Sequence, residues 1–129
     1  MVPTLLLLVE DEGLIATDLD DALVAEGFTV LHAASGTKAI DELESDASRF
    51  NAVVTDIKLG KGADGWEVAK RARELVPNIP VVYVSADSSG DWTSKGVPHS
   101  VMIAKPFLHV QIITAIAILL NKAEGGVSD

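Results

Sequence analysis

Five short apolar runs alternate with longer segments of helical character along this chain of 129 residues. The predicted strands are 4–9, 28–33, 51–57, 80–84 and 100–103. The clearest predicted helices are 13–26, a segment capped by Ser35, a segment from Asp64 to just before Pro77, and 108–122. Strands that alternate with helices in this way indicate an α/β fold, with a parallel sheet covered by helices on both faces.

The fourth helical segment, 88–98, departs from this pattern. It contains three serines, two glycines and a proline, and it has little apolar periodicity. We therefore predict a short or weak fourth helix. The length fits one domain, which we place at 1–122, followed by a flexible tail at 123–129.

Composition excludes several classes of function. The formal net charge of -9 argues against a nucleic-acid partner, because binding to a phosphate backbone requires a basic surface. The absence of cysteine excludes disulfides, thiolate metal sites and cysteine nucleophiles. The first residues lack a basic segment, and the apolar run 5–9 is too short for a signal sequence or membrane span. A cytoplasmic protein without membrane contact is the prediction.

Polar residues lie at or shortly after the carboxyl ends of four of the five predicted strands. Right-handed crossovers bring the carboxyl ends of parallel strands to one edge, where open α/β sheets bind their ligands. The residues at that edge are Glu10 and Asp11, Asp56, Ser85, and Lys105. Each alone has an ordinary explanation as a helix start, a turn or a loop residue. Their convergence from separate strands favours a functional site.

The predicted edge has the chemistry of phosphoryl transfer. The acidic trio Glu10, Asp11 and Asp56 would repel one another without a cation, and oxygen ligands of this kind suit Mg²⁺. Lys105 and Ser85 supply an ammonium and a hydroxyl that can stabilise charge on a transferring phosphoryl group. A carboxylate nucleophile, for which we select Asp56, would form an acyl phosphate.

Four motifs together resemble the response-regulator receiver domain, over residues 4–122. They are Leu8-Val9-Glu10-Asp11-Glu12, Val54-Thr55-Asp56-Ile57 with Asp64-Gly65, Val84-Ser85-Ala86, and Lys105-Pro106-Phe107. The resemblance implies a flavodoxin-like (βα)5 three-layer sandwich with strand order 2-1-3-4-5. It also implies a cis bond between Lys105 and Pro106. The loop 60–66 and the fourth-helix segment look similar to those of stand-alone receivers of alphaproteobacteria.

The same resemblance implies the role of each site residue. Asp56 would accept a phosphoryl group from a histidine kinase or a histidine phosphotransfer protein. Mg²⁺ would be held by Glu10, Asp11, Asp56 and the backbone carbonyl of Lys58, and the phosphoryl oxygens would contact Ser85 and Lys105. The chain would then be a two-component signalling module and not an enzyme. Receivers nevertheless promote their own phosphoryl transfer, and they also promote a slow dephosphorylation of themselves.

The chain departs from the receiver pattern in four ways. Ser85 stands where threonine is commoner, and Met102 stands where receivers often carry an aromatic residue that moves inward on activation. The loop between Asp56 and Asp64 is one residue longer than the commonest form, and the fourth helix is weak. We therefore expect the signal to be relayed by ordering or reshaping the fourth-helix segment.

Two further sets of residues are predicted to act outside the central site. Lys58 and Asp87 lie two residues beyond Asp56 and Ser85, where their charges would tune hydrolysis of the acyl phosphate. Since no output domain follows in this sequence, we expect output through protein contacts. Candidate contact residues, including those for a homodimer through the last helix, are Val110, Ala117, Ile118 and Trp92, although for Trp92 we favour ordinary packing.

Three other functions remain open from the residues alone. A receiver-fold adaptor would use the same surfaces without phosphorylation. A phosphohydrolase of the haloacid-dehalogenase type needs a second aspartate two residues after the nucleophile, where this chain has Lys58. A flavodoxin-like cofactor binder would need a first loop that accepts a phosphate, and Glu10-Asp11-Glu12 would repel one. The histidines at 32, 99 and 109 lack metal-ligand spacing and are assigned structural or surface roles.

Overall fold

Five parallel strands in the order β2-β1-β3-β4-β5 form the centre of the protein, as the sequence analysis predicts. The structure is a computed structural model that describes residues 4–86 and 89–125. The strands are β1 (Leu5–Val9), β2 (Thr29–Ala33), β3 (Ala52–Asp56), β4 (Val81–Ser85) and β5 (Ser100–Ala104). The helices are α1 (Gly13–Ala25), α2 (Gly36–Asp46), α3 (Gly65–Leu75), α4 (Trp92–Lys95) and α5 (His109–Gly125).

Two apolar layers, one on each face of the sheet, give the three-layer arrangement. On one face, β1, β3 and β4 pack against the buried sides of α2 and α3, including Leu43, Val68 and Ala72. On the other face they pack against α1 and α5, including Leu23 and Ile116. Because both faces are covered, the central strands β3 and β4 are buried along their whole length, which explains their continuous apolar sequence.

Local sequence signals begin the helices where they were expected. The side chain of Ser35 accepts a hydrogen bond from the backbone N–H of Lys38 and caps α2. Asp64 and Glu67 form a reciprocal capping box at the start of α3. The second of these caps matters for the site, because it fixes the end of the loop that follows β3.

The fourth helix is short, as predicted. A 3-10 turn at Ser89–Asp91 leads into α4, which has only four residues. At the other end of the chain, α5 continues to Gly125, three residues beyond the predicted end at Lys122. The rest of the predicted tail, 126–129, lies outside the described residues.

A hydrogen-bond chain ties the segment around α4 to the sheet. The half-buried Trp92 donates from its indole Nε1 to the Ser100 hydroxyl (2.9 Å), which in turn donates to the Val97 carbonyl (2.7 Å). The Val97 N–H donates to the phenol oxygen of the fully buried Tyr83 (3.0 Å). Trp66 packs on the same tyrosine, with ring centroids 4.8 Å apart. The packing predicted for Trp92 is therefore what its contacts show.

Candidate functional site

The predicted site residues lie together at the carboxyl edge of the sheet. Glu10 directly follows β1, Asp56 ends β3, Ser85 ends β4, and Lys105 directly follows β5. Glu10, Asp56 and Ser85 are 4%, 7% and 3% exposed, whereas Asp11 is open to solvent. The edge therefore presents two buried carboxylates and one exposed carboxylate to whatever ligand binds there.

Glu10, Asp11 and Asp56 have the spacing of a metal site. One carboxylate oxygen from each lies within 4.8 Å of the others. Such a set of hard oxygen donors, open to solvent on the side of Asp11, fits a divalent cation such as Mg²⁺ that keeps several waters. The acidic cluster can thus hold a metal ion with the chain's own carboxylates.

Lys105 is the cation that the described residues place among these acids. Its Nζ lies 2.8 Å from Oδ2 of Asp56, 3.4 Å from Oε1 of Glu10 and 3.9 Å from Oε1 of Glu12. Burial alone would lower the pKa of Lys105, but the hydrogen bond to Asp56 and the charges of Asp56 and Glu10 outweigh it and raise the pKa. The Lys105–Pro106 peptide bond that follows is cis, as the resemblance implied.

Glu10 holds its charge less readily than an ordinary glutamate. Burial is the main cause that raises its pKa from 4.5 to about 7, and the charge of Asp56 adds to the rise. The backbone N–H of Glu12, which donates to Oε2 of Glu10 at 3.1 Å, and the charge of Lys105 act in the opposite direction. A metal ion beside Glu10 would favour its charged form.

Close backbone packing positions Asp56. The hydroxyl of the buried Thr55 donates to the Asp56 carbonyl oxygen (2.8 Å), and the Gly65 N–H donates to the carbonyl of Ile57 (2.8 Å). A Cβ at Gly65 would collide with the Asp56 carbonyl, so only glycine allows α3 to begin against the end of β3. The sequence indicated the motif Asp64-Gly65 but not this reason for it.

The loop after β3 packs closely against the first residues of α2. A Cβ at Gly36 would collide with the backbone of Ala63, and Gly62 adopts a positive φ of 89° beside Thr37. Lys58 lies in this loop with an exposed side chain. Asp87, its predicted partner in rate tuning, lies outside the described residues, so that pairing stays a prediction.

Two features near the site were not recognised from sequence. Tyr83, beside Met102 in the β4–β5 register, is buried and binds the backbone of Val97, whereas Met102 is partly buried and packs against the core. His32 on β2 contacts the Glu10 carbonyl oxygen at 2.7 Å. Neither residue has a distinctive spacing, because each contacts a backbone group in a loop that is distant in the sequence, Val97 for Tyr83 and Glu10 for His32.

The apolar flank of α5 is exposed where it was expected to be. Val110 and Ile118 are 59% and 51% exposed, and Ala117 is also exposed. Val110 and Ile118 border a groove against β5, together with Val101 and Thr114. The inward side carries Ile112 and Ile116, both fully buried. Whether the exposed flank binds a partner stays a prediction.

A doubly wound α/β domain with three carboxylates, a hydroxyl and a lysine at its carboxyl edge has the architecture of a receiver-type signalling domain. The comparison with known families agrees: the family model for the response regulator receiver domain matches residues 6–117. The chain belongs to this family. Its members are signalling modules of two-component systems and are generally not classed as enzymes.

Individual proteins that are similar to this chain support the assignment to the receiver family. A response regulator receiver protein from Sinorhizobium medicae has a solved structure that is 44% identical, with a TM-score of 0.89, over 92% of this chain and 95% of that one. The sensor kinase CckA of Brucella abortus is 30% identical over 92% of this chain, and a receiver protein of Anaeromyxobacter is 33% identical over 84%.

The chain spans only 13% and 42% of the length of those two curated relatives. Their activities as whole proteins therefore do not transfer directly to it. Among the described residues, no helix is both long enough and apolar enough to cross a membrane.

Proposed function

We propose that this chain is a single-domain response regulator that accepts a phosphoryl group on Asp56 and signals through protein contacts. The observation that carries the proposal is the placement of the Lys105 Nζ between the carboxylates of Asp56 and Glu10 at the carboxyl edge. A buried carboxylate is costly unless a cation or a reaction makes use of it. This edge provides one cation and the ligands for a second.

The donor in this proposal is a phosphohistidine of a histidine kinase or a histidine phosphotransfer protein. A carboxylate oxygen of Asp56 attacks phosphorus as the P–N bond breaks, and the electron pair of that bond leaves with the imidazole. Mg²⁺, held by Glu10, Asp11, Asp56 and the backbone carbonyl of Lys58, would supply positive charge to the phosphoryl oxygens. Lys105 and the hydroxyl of Ser85 would contact the same oxygens. The similarity to part of a sensor kinase supports a donor of this class.

The output in this proposal is a contact between proteins in the cytoplasm. The exposed flank of α5, with Val110, Ala117 and Ile118, is the surface for self-association or for a downstream protein. The net charge of -9 supports a protein partner over a nucleic acid.

Intact mass spectrometry tests the phosphoacceptor. Incubation with Mg²⁺ and acetyl phosphate should add the mass of one phosphoryl group to the wild type and none to Asp56→Asn. Asp41→Asn, which removes an exposed carboxylate on α2, is the matched control and should gain the phosphoryl group. No gain in the wild type, with Mg²⁺ bound, would favour the adaptor function. A gain that persists in Asp56→Asn would assign the acceptor to another residue.

A further inference from the structure

The turn between β1 and α1 presents two of the three acids of the site. Glu10 and Asp11 belong to it, and α1 starts at Gly13. Asp11 is exposed and Glu10 is buried, yet one carboxylate oxygen of each lies within 4.8 Å of the other. The affinity of such a site depends on how rigidly the turn is held, because a loose turn must be ordered when the ion binds.

Edge strand β2 holds this turn at two points. The Glu10 N–H donates to the Ala33 carbonyl oxygen (3.2 Å), which extends the β1–β2 ladder by one residue. The Glu10 carbonyl oxygen lies 2.7 Å from Nε2 of His32. Since a carbonyl oxygen can only accept, the imidazole must carry its proton on Nε2. Among the described residues, no backbone N–H donates to this carbonyl, so the imidazole takes the place of a ladder partner.

We propose that His32 is a positioning residue for the metal site, because its Nε2–H fixes the Glu10 carbonyl and thereby the turn that presents Glu10 and Asp11. This inference rests on the proposed function, in which these acids hold Mg²⁺. His32 contacts neither the ion nor the phosphoryl group and acts only through the backbone of Glu10. His32 therefore corresponds to the residues that, in other metal sites, do not bind the ion but form hydrogen bonds to the residues that do.

The side chain of Glu10 explains why a main-chain anchor is needed. Its Oε2 accepts from the Glu12 N–H, and its Oε1 faces Lys105. An ion that binds the Glu10 carboxylate would compete with both of these contacts, so they cannot by themselves hold the residue in place. The bond from His32 is made to the backbone carbonyl and not to a side-chain oxygen, so it does not compete with an ion for the carboxylate.

Mg²⁺ titration of the full chain, followed by NMR shifts of the backbone amides of residues 10–13, tests the proposal. His32→Leu should raise the Mg²⁺ dissociation constant about tenfold, the lower range for the loss of an outer-shell partner. His32→Gln places an amide N–H close to the position of Nε2 and should stay within about threefold of the wild type. Thr29→Leu, at an exposed position of the same strand, is the matched control and should bind as the wild type does.

Urea unfolding without Mg²⁺ separates positioning from general stability. We expect similar midpoints for His32→Leu and His32→Gln, although their Mg²⁺ affinities differ. His32→Ala is measured beside them, so that the result does not depend on the fit of a leucine.

Three results would overturn the proposal. Wild-type affinity in His32→Leu and His32→Ala would overturn it and leave Asp56 phosphorylation untouched. Equal weakening in His32→Gln and His32→Leu would show that the hydrogen bond is not the cause. A wild-type chain that binds no Mg²⁺ at all would overturn both this inference and the proposed function.

Discussion

Two features of Glu10 disfavour its charged form in the absence of a metal ion. It is 4% exposed, and it lies beside the charge of Asp56. Its pKa is about 7 in the folded state and close to 4.5 when the chain is unfolded. Because the folded state holds this proton more tightly, deprotonation of Glu10 weakens the fold as the pH rises from about 4.5 through 7.

Glu10→Gln should remove this pH dependence. The amide keeps an oxygen for the N–H of Glu12 but carries no charge. At about 1.4 kcal/mol per pKa unit, the free energy of unfolding of the wild type relative to the variant should fall by roughly 3 kcal/mol between pH 4.5 and pH 8. Urea unfolding of both proteins in EDTA measures the difference. Parallel pH profiles of the two proteins would contradict the prediction. Added Mg²⁺ should restore the free energy of unfolding of the wild type at pH 8.

The site residues were predictable because each lies at the end of a strand. Topology alone brings Glu10, Asp56, Ser85 and Lys105 to one edge once the strands are recognised. The supporting contacts were not predictable in the same way. The bond from His32 to the Glu10 carbonyl depends on the register of β1 and β2, and the need for Gly65 depends on the approach of α3 to β3. Neither distance can be read from sequence spacing.

At the scale of elements, the segment around α4 is short but firmly attached to the sheet at its carboxyl end. The Tyr83 hydroxyl accepts from Val97, and Arg73 donates to the carbonyls of Ile79, Pro98 and His99. The low helix content was predictable from the glycines and serines of 88–98. The anchors were not, because Tyr83 and Arg73 belong to β4 and α3, far away in the sequence.

Tyr83→Phe should loosen this attachment without changing the core. The substitution removes one oxygen and leaves the Val97 N–H without its acceptor, at a cost of about 1–2 kcal/mol. Urea unfolding should show that loss, and hydrogen exchange should show faster exchange at the Val97 amide. The amide of Val54 in the central strand β3 is the internal reference, since it should change only as much as global stability does. Unchanged exchange at Val97 would show that the phenol does not hold the segment.

At the scale of the whole molecule, two separate surfaces have proposed roles. The acidic edge, with Asp56 and Lys105, carries the proposed chemistry, whereas the flank of α5 with Val110 and Ile118 borders a groove against the outer strand β5. The fold class and the two covered faces of the sheet followed from the alternation of strands and helices. Which exposed aliphatic side chains contact a partner does not follow, because single exposed aliphatics are common on soluble proteins.

Ile118→Glu should separate these two surfaces. Ile118 is 51% exposed and borders the groove, so a buried carboxylate there would weaken self-association through α5 by about tenfold or more. Uptake of a phosphoryl group from acetyl phosphate should be unchanged, because Ile118 belongs to the groove against β5 and not to the acidic cluster that contains Asp56. Sedimentation velocity over a concentration series, with and without the phosphodonor, measures the association.

Val24→Glu, at a 53% exposed position on α1, adds the same charge to another helix and should associate as the wild type does. If the wild type and both variants associate equally, this flank is not the contact surface, and output must use another part of the molecule.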